Sequence, residues 1–179
     1  MVQTDDLAIG LDIGGTKILT ALVSKNGDIL AKLQCDTKEG KGNLGELIIN
    51  KIKVLVHEAN VEFTRIKGIG IATAGVIDSK KKEIIFASNL NINNFPIGSL
   101  LENEFNLPVE LYNDGNAAAV GEWTWGRGKG KKNLIYITVS TGIGAGIISN
   151  DRLITGITDS AGEFGHLSIN IDGPLCPCG

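Results

Sequence analysis

The chain has 179 residues, enough for one compact domain or for a domain with part of a second. Apolar residues make up 42% and charged residues 21%, the balance of an ordinary soluble globular protein, and a net charge of −3 supplies no basic field for nucleic acid. No apolar run approaches the roughly 20 residues that span a bilayer, and the acidic opening MVQTDDLA lacks a signal-peptide pattern, so the expectation is no membrane partner and a cytoplasmic location.

In chain order, LAIGLDI (7–13) reads as a buried strand and KILTALVS (17–24) as its neighbour after a tight turn. Asn26-Gly27 is a hairpin signal, and DILAKLQC (28–35) completes a three-strand meander. Lys38 to Gly42 reads as a polar loop. Leu44, Leu47, Ile48, Leu55 and Ala59 then fall at helical spacing, with Asn43 as the cap and Glu46 three residues on. IKGIGIATAGVID (66–78) reads as one buried strand ending in a glycine turn, and a lysine-rich turn leads to a strand at IIFAS. A short helix (97–105), a strand (108–113) and a helix beginning with Asp114 follow. After the basic glycine loop GRGKGKK (126–132), residues 133–149 read as strand, glycine turn, strand, and DRLITG as a short strand. A meander followed by crossovers implies an α/β fold with a mixed sheet. The boundary between two lobes falls near residues 113–116, giving a first lobe at 1–113 and the start of a second at 114–179.

Two glycine turns carry the chemistry. Asp12-Ile13-Gly14-Gly15-Thr16-Lys17 sits between two strands. Glycines bring backbone N–H groups close to an anion, and a concave run of such donors binds phosphate oxygens. Thr16 and Lys17 add a hydroxyl and a positive charge. Asp12 is placed to hold Mg²⁺ through water. A plain hairpin would need neither Thr nor Lys. The second turn, Ser140 to Gly146, offers Thr141, Gly142 and Gly144. Neither turn matches the Rossmann or Walker A pattern. Two such turns, each between apolar strands, predict loops from two lobes on one polyphosphate.

Three cysteines, Cys35, Cys176 and Cys178, argue against a disulfide framework. His166 with Cys176 and Cys178 makes a soft donor set suited to Zn²⁺. His57, on its helix, reads as an ordinary surface residue.

The sequence resembles the ROK family of sugar kinases and sugar-responsive repressors, within the actin and hexokinase superfamily. The resemblance rests on DIGGTK (12–17), GIATAGVID (70–78), YNDGNAAAVGE (112–122), STGIGAG (140–146), GEFGHLSI (162–169) and CPCG (176–179), in the family's order. It implies an actin/hexokinase-like (ribonuclease H-like) fold with a mixed five-stranded sheet and two lobes, the second incomplete. It implies ATP with Mg²⁺ as cofactors and a hexose as substrate, glucose at its 6-hydroxyl first. Asp114, at a strand's C-terminal mouth, is implied as the base that takes the hydroxyl proton. An N-cap alone would explain the aspartate but neither Asn113 nor Asn116. Gly75, Asn89, Asn113, Glu163 and His166 are implied as sugar contacts. The family often has a tryptophan two or three residues after the asparagine at 89; here Asn91, Ile92 and Asn93 stand there. A structural Zn²⁺ on His166, Cys176 and Cys178 is implied together with a further cysteine beyond Gly179. Dimers are common among such relatives, which makes a homodimer one expected arrangement.

A sugar-binding transcriptional repressor is the second reading. It would need a DNA-binding segment, and the first core strand begins by residue 7, so the kinase is expected instead. GRGKGKK lacks interleaved aromatics and reads as a solvated loop rather than a nucleic-acid surface. A bare ATP-hydrolysing scaffold would leave GEFGH unused.

Overall fold

The computed structural model describes residues 6–40, 42–140 and 142–175. The chain divides into two compact units, Met1–Asp114 and Gly115–Gly179. The first is built on a five-stranded sheet of order β3-β2-β1-β4-β8. β1 (Leu7–Ile13), β2 (Lys17–Ser24) and β3 (Ile29–Asp36) form an antiparallel meander, turned at Gly27 with φ +89°. β4 (Ile66–Thr73) then pairs parallel to β1, and β8 (Val109–Asn113) parallel to β4. The mixed sheet expected from the order of elements is the one observed.

One face of this sheet is the core. Leu7, Ile9, Leu11 and Ile13 alternate inward along β1, with Ala8 and Asp12 on the opposite face. Period-two alternation is what a strand with one covered face requires. The cover is α1 (Leu44–Glu58) and α2 (Ile97–Phe105), which bury Ile48, Ile52 and Leu55, and Ile97 and Leu101. Each fully buried aliphatic side chain contributes about 1.5–3 kcal/mol before ordering costs. Asn43 caps α1: its side-chain oxygen accepts from the Glu46 N–H at 3.1 Å. α2 ends at Asn106 in the left-handed region, φ +52°.

The strand expected over 66–78 does end at its glycine turn, but the residues beyond that turn form a second strand. β4 stops at Thr73, and Gly75, at φ +107°, redirects the chain into β5 (Val76–Asp78) of a different sheet. A Cβ on Gly75 would lie 2.5 Å from the Phe86 carbonyl oxygen, so glycine is required there by conformation and by space. β5 pairs with β6 (Glu83–Ala87), and β6 with β7 (Ile92–Phe95), where the sequence reading placed no strand. INNF has weak strand propensity, and cross-strand pairing of Phe95 with Ile84 and Asn93 with Phe86 overrides it.

The second unit holds α3 (Asp114–Thr124), whose first residue belongs to the first unit, and a three-stranded sheet of order β11-β10-β9. Its strands are β9 (Leu134–Val139), β10 (Ile143–Ser149) and β11 (Arg152–Ile154). Strand, glycine turn, strand, strand is also the grammar of β1–β3. Ile135, Ile137 and Val139 of β9 are exposed.

Candidate functional site

The β1–β2 turn is closed by its own backbone: the Gly14 N–H donates to the Lys17 carbonyl at 2.9 Å. The residue after β3 holds it from outside. The Thr37 hydroxyl donates to the Gly14 carbonyl at 2.8 Å, and the Thr37 N–H donates to the Thr16 carbonyl at 2.9 Å. Gly15 is pressed against Asn89, which lies in a 3-10 turn (Ser88–Leu90). A Cβ on Gly15 would come 2.9 Å from the Asn89 Cβ and 3.0 Å from its carbonyl oxygen. The turn is therefore glycine because a neighbouring backbone approaches it, and the approach ties it to Asn89. Beside them opens a cavity of about 430 Å³, lined by Gly15, Thr37, Lys38, Ser88, Asn89 and Asn91, among others. Thr16 and Lys17 are exposed.

Asp12 stands one strand residue before this turn, on the sheet face away from the core. Its lateral neighbours are Ala72 of β4 and, beyond that, Tyr112 of β8. Asp114 follows β8 directly, as the first residue of α3, close enough for its charge to act on Asp12. Desolvation pushes the Asp12 carboxyl above its ordinary value, and the charge of Asp114 pushes it further. Asp12 is solvent-accessible, so this desolvation comes from a recess rather than from full burial. The Tyr112 phenol is raised as well, by desolvation and then by Glu110. The mouth is braced from below by buried Thr73, whose hydroxyl donates to the Ile13 carbonyl at 3.2 Å. Two repelling carboxylates at a strand mouth, next to a glycine turn, are a donor set that a divalent cation neutralises.

In the second unit, the turn between β9 and β10 is closed by the Ser140 N–H donating to the Gly142 carbonyl at 2.8 Å, and Thr141 lies outside the described residues. Gly144 sits against the Thr138 methyl, 3.3 Å from where a Cβ would be. Ala145 is a bearing for two elements. A Cβ on Gly115 in the first turn of α3, or on Gly162 ahead of Glu163, would each lie 2.7 Å from its carbonyl oxygen. Gly165 abuts the Ile143 carbonyl in the same way, at 2.5 Å. Glycines thus seat the 3-10 turn Phe164–His166 on β10, with Glu163 just before it. The Glu163 carboxylate lies 3.9 Å from His166 Nε2, both about half exposed. Asn116, 2% exposed, has a side-chain oxygen without a hydrogen-bond partner among the described residues.

Within the first unit, then, the structure gathers the turn residues Asp12 to Lys17 with Asn89, and places Asn113 and Asp114 at the end of β8, two strands from Asp12. Gly75 lies at the β4–β5 corner. Within the second it sets Gly142, Gly144, Glu163 and His166 around the start of β10. Cys176 and Cys178 lie outside the described residues, and among the described residues no three His, Cys, Asp or Glu side chains form a metal cluster. His57 is exposed on α1. The sequence reading missed Thr37. The available signal was the pairing of β2 with β3, which sets Lys17 opposite Asp36 and so brings Thr37 beside Thr16.

A model of the ROK family matches residues 8–179. The glucokinase of Streptomyces coelicolor is 40% identical over 173 residues, covering 97% of this chain and 53% of the relative. The xylose repressor of Bacillus spizizenii is 34% identical over 173 residues, covering 96% of this chain and 45% of the relative. The crystal structure of a ROK family glucokinase from Streptomyces griseus, in complex with glucose and AMPPNP, superposes with a TM-score of 0.82 at 36% identity. It covers 97% of this chain and 54% of that one. The chain spans about half the length of the curated relatives it matches.

Proposed function

The chain belongs to the ROK family, and from that premise we propose that its protein transfers the γ-phosphoryl group of ATP to a hexose, glucose at the 6-hydroxyl first. The observation that carries this reading is the placement of Asp12 on β1 and Asp114 directly after β8 of the same sheet, beside the Gly14-Gly15 turn, where the charge of Asp114 adds to the desolvation that raises the Asp12 carboxyl. A carboxylate to take a proton, a second to bind a metal–phosphate complex and a backbone anion cradle are the parts that phosphoryl transfer needs.

Asp114 accepts the proton of the sugar hydroxyl as its oxygen bonds to the γ-phosphorus and ADP leaves. Asp12 would hold the Mg²⁺ ion through water. Bound Mg²⁺ would supply charge neutralisation on the phosphates. Gly14, Gly15, Thr16 and Lys17 hold the phosphates, with Thr141, Gly142 and Gly144 assigned to the same nucleotide on the family resemblance. On the family resemblance, Asn89, Asn113, Gly75, Glu163 and His166 contact the sugar. The same resemblance implies Zn²⁺ on His166, Cys176 and Cys178 together with a further cysteine, and makes a homodimer one expected arrangement.

The second reading is a sugar-responsive repressor, favoured by the 34% identity to the xylose repressor. Both glycine turns and Asp114 support the enzyme over it. A coupled ADP-release assay across a sugar panel, on the full-length protein beside a DNA gel shift, separates the two. Sugar-dependent ADP release supports the kinase. A sugar-sensitive DNA shift without turnover rejects it.

A further inference from the structure

Thr37 touches the glycine turn twice, and both contacts fall on carbonyl oxygens that flank Gly15. A carbonyl oxygen is the negative end of its peptide and repels a phosphate. The N–H of the same peptide is what a phosphate requires. A trans peptide is planar, with its C=O and N–H pointing in opposite directions. The orientation of the Gly14–Gly15 peptide therefore decides whether the turn presents a donor or a lone pair to an anion. Glycine on both sides leaves that peptide easy to flip, because glycine accepts either sign of φ.

We propose that Thr37 is the positioning residue of this turn. Its hydroxyl takes up the Gly14 carbonyl and so aims the Gly15 N–H at the opposite side, where the anion binds. The Thr37 N–H fixes the Thr16 carbonyl in the same way, and Asn89 blocks Gly15 from moving outward. The anchor comes from the residue that follows β3, 23 residues away in sequence, so the turn is set before any ligand arrives. Naming the anion as the nucleotide's phosphates rests on the kinase reading; the hold on the peptide does not.

The test compares Thr37→Val, which keeps the shape and loses the hydroxyl, with Thr37→Ser, which keeps the hydroxyl. Both are made in the full-length protein, with thermal melts to show that each is folded. Thr37→Val is expected to weaken binding of a non-hydrolysable ATP analogue roughly three- to tenfold, the worth of one hydrogen bond. Sugar affinity is expected to stay unchanged, and Thr37→Ser to restore analogue binding. Amide hydrogen exchange across residues 13–18 is expected to speed up in Thr37→Val and not in Thr37→Ser. Wild-type analogue affinity in a folded Thr37→Val protein, or equal losses in both variants, overturns the proposal. Should the wild-type protein bind no nucleotide, the kinase reading falls. Exchange alone then decides the role of Thr37, and unchanged exchange in Thr37→Val overturns it.

Discussion

Asp12 lies on β1 and Asp114 opens α3 directly after β8 of the same sheet, and the negative charge of the second adds to the desolvation that already lifts the carboxyl of the first. The folded chain therefore binds a proton at Asp12 more tightly than the unfolded chain does. Such a raised carboxyl opposes folding at neutral pH, where it must ionise in its recess, and the penalty fades as pH falls toward the ordinary value of 3.8. Asp12→Asn is expected to raise the melting temperature at pH 7 and to make no difference below that ordinary value, where the carboxyl is neutral in both states. Paired thermal melts across pH check this; an equal gain at every pH would rule it out.

Asp114→Asn removes the proposed base and keeps the shape. Turnover on hexose is expected to drop by roughly 10²–10⁴-fold, the usual share of general base catalysis. Sugar binding, read by calorimetry, should be largely retained. Near-normal turnover would sink the assignment of Asp114.

Gly15→Ala forces a Cβ into Asn89, including its backbone oxygen at 3.0 Å. Overpacking of this kind costs about 1–3 kcal/mol. Because the turn and Asn89 shift together, affinity for nucleotide and for sugar is expected to weaken in the same variant. Loss of one with the other intact would show that the contact does not couple them.

Two glycines of α3 make a matched pair. At Gly121 a Cβ meets nothing within 4 Å, and at Gly115 it meets the Ala145 carbonyl at 2.7 Å. Helix propensity favours alanine over glycine by about 1 kcal/mol at either. Gly121→Ala is expected to stabilise by up to about that amount. Gly115→Ala should destabilise by about 1–3 kcal/mol, because the strand behind it cannot retreat. Denaturant melts of the two variants give the sign directly, and equal shifts would contradict the close packing of α3 on β10.

Elements whose signal is local were legible. The apolar run of residues 7–13 announces β1, Asn26-Gly27 its meander, and Asn43 with its helical apolar spacing announces α1. A mixed sheet followed from their order, and its five strands from the family resemblance. What depends on distant partners was hidden. Nothing in INNF announces a strand until β6 lies beside it, and nothing in 66–78 shows that Gly75 must yield to the Phe86 carbonyl. At the site the residues of the turn were readable from their types. Thr37 was not, because its importance lies in a bond spanning 23 residues. Asn89 came from family resemblance; its contact with Gly15 came only from the fold.

β1 has a strand on either side, whereas β9 has β10 on one side and, among the described residues, none on the other. Its outward-facing Ile135, Ile137 and Val139 would make an adhesive rim for any second molecule able to lay a strand along it. Arg127, Lys129, Lys131 and Lys132 immediately precede that rim, and their like charges repel an identical chain approaching in parallel. Such protection is electrostatic, so salt erodes it. Handled as these 179 residues alone, the protein should keep best in dilute buffer and clump as ionic strength climbs.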